Sequence, residues 1–146
     1  MVCPVALHRM AQKNAIAHLN RGILVPSLPE GQILLNLLSN AVKFTPPGGE
    51  VLLAVSIDKD GGLLLSVTDT GIGIGKEDLP KVMEPFGQVE SALSRRFSGT
   101  GLGLSLVRTM CELHGASLAL DSKLGRGTTA LVSFPVERVV ESSPTL

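Results

Sequence analysis

The chain has 146 residues, 44% apolar and 3% aromatic with neither Trp nor Tyr, and its 13 Lys and Arg balance its 13 Asp and Glu. Zero net charge removes the basic field that draws a protein to nucleic acid or an anionic membrane, and the missing aromatics remove the stacking platforms used for single strands. The length suits one domain with an aliphatic core, while no apolar run is long enough to span a bilayer and no apolar signal core opens the chain.

The pattern predicts a short helix over 5–13 and a strand over 15–19, where Ile16 and His18 alternate around Ala17. Pro26 and Pro29 mark a loop. From 30 to 44 the period turns helical, with Ile33, Leu34, Leu37, Leu38 and Ala41 recurring at three- and four-residue steps. "TPPGGE" at 45–50 stops that helix. "VLLAVSI" at 51–57 reads as a strand, 58–62 as a hairpin turn and "LLLSVTD" at 63–69 as the partner strand. A short helix is expected over 77–83, then a long segment over 85–100 rich in Ser, Arg and Gly; a loop of that length in a compact domain usually has a function. A strong helix follows over 102–114, then "ASLALDS", a "KLGRGTT" turn, "ALVSFPV" and the tail "ERVVESSPTL". The order of strand, helix, hairpin, loop, helix and hairpin implies an α/β two-layer sandwich: a mixed, mostly antiparallel sheet with its helices on one face. The domain is expected to span 1–136, with 137–146 as its tail. Cys3 and Cys111 lie far apart without metal-ligand spacing and read as free thiols, so the expected compartment is the cytoplasm.

On a helical wheel of about 100° per residue, Asn36, Asn40 and Lys43 fall on one narrow stripe beside the leucines. Two readings stand. The stripe is a solvent face, although Asn is a poor helix former and Glu, Gln or Lys would serve better there. Or it is a site: an amide oxygen is a hard, neutral ligand for a Mg²⁺ that keeps its waters and bridges to phosphates, with Lys43 adding positive charge one turn on.

"VTDTGIGIG" at 67–75 ends a strand on Asp69 and then places glycines at every second position. The dinucleotide fingerprint fails because its third glycine falls on Lys76, and the Walker P-loop fails because its first glycine falls on Thr70 and its last residue on Glu77. "SGTGLGLSL" at 98–106 opens the second strong helix and misses the same fingerprint at Leu104. Gly99, Gly101 and Gly103 would still let a phosphate approach a helix N-terminus, where free N–H groups bind anions; the plainer reading is a flexible turn. Asp69 either caps its own turn or accepts a hydrogen bond from the amino group of adenine.

Four segments resemble one family in order and spacing. "NLLSNAVKFT" is similar to its N box, "DTGIGIG" to its first glycine box, "EPFGQ" to its F box and "GTGLGLSL" to its second glycine box, and "ELHGASLALDSKLGRGTTALVSFP" continues the match. The chain thus resembles, over 32–136, the ATP-binding catalytic domain of sensor histidine kinases within the GHKL ATPases. The resemblance implies the left-handed β-α-β sandwich known as the Bergerat fold, binding ATP with Mg²⁺. It implies Asn40 as the Mg²⁺ ligand, Asn36 supporting it, Lys43 on phosphate and Phe44 near the adenine. It implies Asp69 on the adenine amino group, with Gly71, Gly73 and Ile74 lining the base pocket and Gly125, Gly127 and Thr128 forming the last small box. Phe86 to Ser98 would be the ATP lid, carrying Arg95 and Arg96 toward the γ-phosphate, and Gly99, Thr100, Gly101, Leu102 and Gly103 would border the triphosphate.

Hydrolysing members of that superfamily carry a Glu one turn before the metal-binding Asn, to activate water. Here that place is Asn36, whose amide cannot act as a base. The resemblance therefore implies transfer of the γ-phosphoryl group to a protein histidine, on a separate dimerisation and phosphoacceptor domain, with a response-regulator receiver as second partner and no contact with nucleic acid or membrane. His8, in "ALHRMAQ", lacks the setting of the family's substrate histidine; His18 suits a strand and His114 a helix end. The substrate histidine and the sensor are expected upstream in a longer protein. "VPSLPEGQ" before the first strong helix lacks the Asp and Arg usual there, which keeps open a docking or regulatory module without kinase activity.

Overall fold

The computed structural model describes residues 3–5, 28–85 and 103–138. In chain order the elements are β1 (Cys3–Val5), α1 (Leu28–Phe44), β2 (Val51–Ile57), β3 (Leu63–Asp69), α2 (Leu79–Val82), α3 (Gly103–Leu113), β4 (Ser117–Lys123) and β5 (Gly127–Phe134), closed by a 3-10 turn at Val136–Arg138. The strands form one sheet in the order β1-β2-β3-β5-β4, antiparallel at every described pairing. The α/β sandwich expected from the order of elements is the fold observed.

Several boundaries move for local reasons. α1 begins at Leu28, so Pro29 lies in its first turn rather than in a loop, where a missing N–H costs nothing. Val5 pairs with Leu53 as part of β1 instead of opening a helix over 5–13; the rest of that expected helix and the strand over 15–19 lie outside the described residues. The helix expected over 77–83 is a single turn, Leu79–Val82, without a side-chain cap on its first amides. The "KLGRGTT" turn is shorter than read, because Thr128 and Thr129 already pair with Asp69 and Thr68 in β5.

Opposite residues of an antiparallel pair share a face, so the register sorts the sheet into transverse rows. Val55, Leu65, Val132 and Leu118 make one row; Leu53, Val67, Ala130 and Leu120 make the next. Against these rows pack Ile33, Leu37 and Ala41 of α1 with Val107 and Cys111 of α3. Leu53 and Val132 have no exposed surface, and truncating Leu53 to alanine is expected to cost about 2–5 kcal/mol. The following row is Val51, Asp69, Thr128 and Ser122. Here the apolar pattern ends and polar side chains take over, still on the face that the helices cover.

Candidate functional site

Asp69 is the last residue of β3, and its carboxylate bends back onto the chain. Oδ1 accepts the Gly71 amide at 2.8 Å and the Thr128 amide at 3.2 Å. Among the described residues, Oδ2 receives no hydrogen bond. Burial pushes the Asp69 carboxyl above the usual carboxylate value, and the Gly71 and Thr128 amides pull it back only in part. The turn-capping role is the one observed: Oδ1 holds the loop, and Oδ2 has no hydrogen bond among the described residues.

The glycine loop after Asp69 is tied on three sides. Thr70 N donates to Glu50 O at 3.0 Å, and Ile72 N to Phe44 O at 3.1 Å. Gly125 N donates to Ile72 O at 2.7 Å, and Ile74 N to Ser122 Oγ at 2.8 Å. Gly73 adopts φ +70°, and a Cβ there would run into the Lys123 carbonyl oxygen. A Cβ on Gly71 would likewise meet the Phe44 carbonyl. Both glycines are needed because the loop lies flush on neighbouring backbone. A hollow of about 350 Å³ abuts the loop, lined by Pro46, Thr70, Gly71, Ile72, Leu124 and Gly125. Asp69, Asn36 and Asn40 do not line it.

α1 and α3 supply the other half. Gly103 opens α3 against the Asn40 amide: a Cβ on it would lie 3.1 Å from Nδ2 and 3.3 Å from Oδ1. Gly103, the first described residue of the second glycine box, thus meets the helix that carries the amide stripe. Asn36, one turn earlier on α1, has Nδ2 buried with no hydrogen-bond partner. An unpaired buried amide is costly, of order 1–3 kcal/mol, and marks a place where an acceptor belongs. Lys43 lies in the last turn of α1 and holds Nζ 5.3 Å from the Phe44 ring centroid, a cation–π contact at the helix end that also favours positive charge. Among the described residues no group of three or more His, Cys, Asp or Glu could cage a metal ion. Amide ligands alone fit a hard cation that arrives on phosphates and keeps most of its waters. Phe86, Arg95, Arg96, Gly99, Thr100, Gly101 and Leu102 lie outside the described residues.

Ser122 was not among the candidates. It is 8% exposed and touches both the glycine loop and β5. The signal was present: in β4 the inward places are Leu118, Leu120 and Ser122, so a hydroxyl stands where the alternation calls for a third apolar residue.

Residues 28–138 match the family model described as histidine kinase-, DNA gyrase B- and HSP90-like ATPase. The chain is 44% identical to the non-motile and phage-resistance protein of Caulobacter vibrioides, over 90% of this chain and 17% of that protein. It is 45% identical to the histidine protein kinase DivJ of the same organism, over 86% of this chain and 22% of that one. Similar solved structures include the mycobacterial sensor histidine kinase MprB (TM-score 0.64, 32% identity, 73% of this chain and 70% of that one). Full-length ShkA in complex with AMPPNP is also similar (TM-score 0.66, 32% identity, 80% and 23%). The chain spans less than a quarter of the length of these two curated relatives. With that match, and with the fold of histidine kinase catalytic domains around Asp69 and the α1 amides, the chain belongs to the histidine kinase-, DNA gyrase B- and HSP90-like ATPase family.

Proposed function

We propose that this domain binds Mg-ATP and transfers its γ-phosphoryl group to a histidine on a separate dimerisation and phosphoacceptor domain, from which a response-regulator receiver takes it. The observation that carries the reading is Asp69, with one oxygen held by the Gly71 and Thr128 amides and the other left as an acceptor at the polar end of the sheet. In this reading Oδ2 takes the adenine amino group, and Gly71, Gly73 and Ile74 form the floor under the base. Asn40 would hold the metal, and the unpaired Asn36 amide would donate to a phosphate oxygen. Lys43 adds positive charge, as do Arg95 and Arg96 of the lid. Bound Mg²⁺ supplies neutralisation of the triphosphate charge. An imidazole nitrogen of the acceptor forms the new bond to the γ-phosphorus while the bond to the β–γ bridging oxygen breaks and ADP leaves. The domain's share is positioning and electrostatics, because Asn36 offers no base to activate water.

Titration calorimetry with ATP, with and without Mg²⁺, tests the binding step. Mg²⁺-dependent binding that is lost in Asp69→Ala and weakened in Asn40→Ala is expected; no binding by the folded domain would leave the docking-module reading. For the chemical step, label from γ-labelled ATP should reach the histidine of an added phosphoacceptor domain. Release of inorganic phosphate by the domain alone, with no phosphohistidine, would overturn the transferase reading in favour of an ATPase.

A further inference from the structure

Ser122 Oγ has three partners and a single proton to share among them. Ile74 N donates to it at 2.8 Å, it donates to Gly127 O at 2.9 Å, and Thr128 Oγ1 lies 2.7 Å away. A hydroxyl carries one proton and two lone pairs. The Ser122 proton is spent on a carbonyl, which can only accept. The proton between the two hydroxyls must then come from Thr128. Thr128 is thereby left with lone pairs and no proton for anything else it meets.

Thr128 stands directly opposite Asp69 in the β3–β5 pairing, on the same face. That end of the site therefore presents two neighbouring groups, a carboxylate and a threonine oxygen, that both accept and neither donates. We infer that Ser122 is a specificity-positioning residue: by taking the Thr128 proton it makes the purine end of the site accept only, which favours a base edge bearing an amino group over one bearing a carbonyl oxygen. The inference rests on the nucleotide reading above and deepens it. Adenine offers amino protons to both acceptors. Hypoxanthine turns a carbonyl oxygen toward them; its N1–H can still meet one acceptor, but no donor there answers the oxygen. Without Ser122, the Thr128 hydroxyl is free to rotate and donate to that oxygen.

The test compares calorimetric affinities for Mg-ATP and Mg-ITP in the wild-type domain, Ser122→Ala, Thr128→Val and the double variant. The wild type should prefer ATP by about tenfold or more, and Ser122→Ala should shrink the preference by roughly tenfold. In the Thr128→Val background, adding Ser122→Ala should leave the ratio where it was. A merely structural role, through the Ile74 tether, would weaken both nucleotides equally and leave the ratio unchanged. If Ser122→Ala does not melt cooperatively, Ser122→Cys, close in volume and a poor acceptor for the Thr128 proton, should shrink the ratio in the same direction. A wild-type ratio in a folded Ser122 variant, or an equal shift with and without Thr128, overturns the inference while leaving ATP binding standing. A wild-type domain that binds neither nucleotide removes the nucleotide reading, and this inference with it.

Discussion

Gly103→Ala separates stability from function at the point where α3 meets α1. Helix propensity favours alanine over glycine by about 0.8–1 kcal/mol in a helix interior, and by less in a first turn. Against that, the new Cβ would sit 3.1 Å from Asn40 Nδ2 and 3.3 Å from Oδ1, tighter than ordinary contact, so the amide must give by a few tenths of an ångström. The amide is the end of a short side chain, so the shift costs little stability. The melting temperature should hold or rise, by at most about 4 °C for a domain of this size. Binding should respond differently. Misplacing a positioned group by about 1 Å can cost 10²-fold, and a shift of a few tenths is expected to cost roughly three- to tenfold in affinity. Only the Mg²⁺-dependent part of the affinity should fall, since the purine end is untouched. Thermal melting and calorimetry with and without Mg²⁺ read both quantities. Adding Asn40→Ala to Gly103→Ala should produce less than the sum of the two losses, because both act through one amide. Unchanged Mg²⁺ dependence in a folded Gly103→Ala protein would refute the argument that the start of α3 sets the Asn40 amide.

Burial raises the Asp69 carboxyl above its ordinary value of 3.8, so its contribution to stability is complete below 3.8 and is lost as pH rises through the raised value. Asp69→Asn should therefore hold or raise the melting temperature at pH 7 and flatten its decline above pH 3.8, while nucleotide affinity falls by roughly ten- to hundredfold; a lower melting temperature at pH 7 would contradict this. Asn36→Leu replaces a buried, unpaired amide by carbon of similar size and should raise stability in denaturant titration by about 1 kcal/mol while weakening Mg-ATP binding; a loss of stability would mean that the amide is satisfied. The buried Cys111 thiol is pushed up to about 11 from 9.0, first by burial and then by Glu112. Its stabilising contribution is complete below 9.0 and is lost on rising through about 11, so melting temperature should fall less steeply over that window in Cys111→Ala. In a Cys3→Ser background at pH 8, Cys111 should react with iodoacetamide only as fast as the domain unfolds.

What the sequence made legible was decided by local signals. The β2–β3 hairpin was readable to the residue because Asp58 takes the amides of Asp60 and Gly62 at 2.8 Å each, so the turn is specified within its own five residues. α1 was readable from its period, although its start was misread at Pro29, where a proline that looks like a stop is a favourable first-turn residue. The end of the "KLGRGTT" turn was not legible, because Thr128 and Thr129 become strand only by pairing with β3, some 60 residues away in sequence. The same limit applies to the site. Asp69, Asn36 and Asn40 stood out as polar residues in apolar periods, but the contact of Gly103 with Asn40 and the proton order at Ser122 exist only once three elements have converged.

The predicted substitutions at Asp69, in the row Val51, Asp69, Thr128 and Ser122, and at Asn36 on α1 share a sign for one reason. A domain selected for stability alone would continue the apolar rows to the end of the sheet and leave no buried amide on α1 unpaired. Here Asp69 keeps a charge that burial disfavours, and Asn36 keeps a donor without an acceptor. Both are tolerable in the free domain only because the core rows beneath supply enough burial, and both become favourable when a ligand supplies the missing partner. A ligand at a hundred times its dissociation constant adds about 2.7 kcal/mol to stability, more than the roughly 1 kcal/mol expected from Asn36→Leu. The order of melting temperatures should therefore invert: without nucleotide the substituted domains are equal or higher, and with saturating Mg-ATP the wild type is highest. A site whose polar groups were fixed for folding rather than for a ligand would show the wild type highest in both conditions.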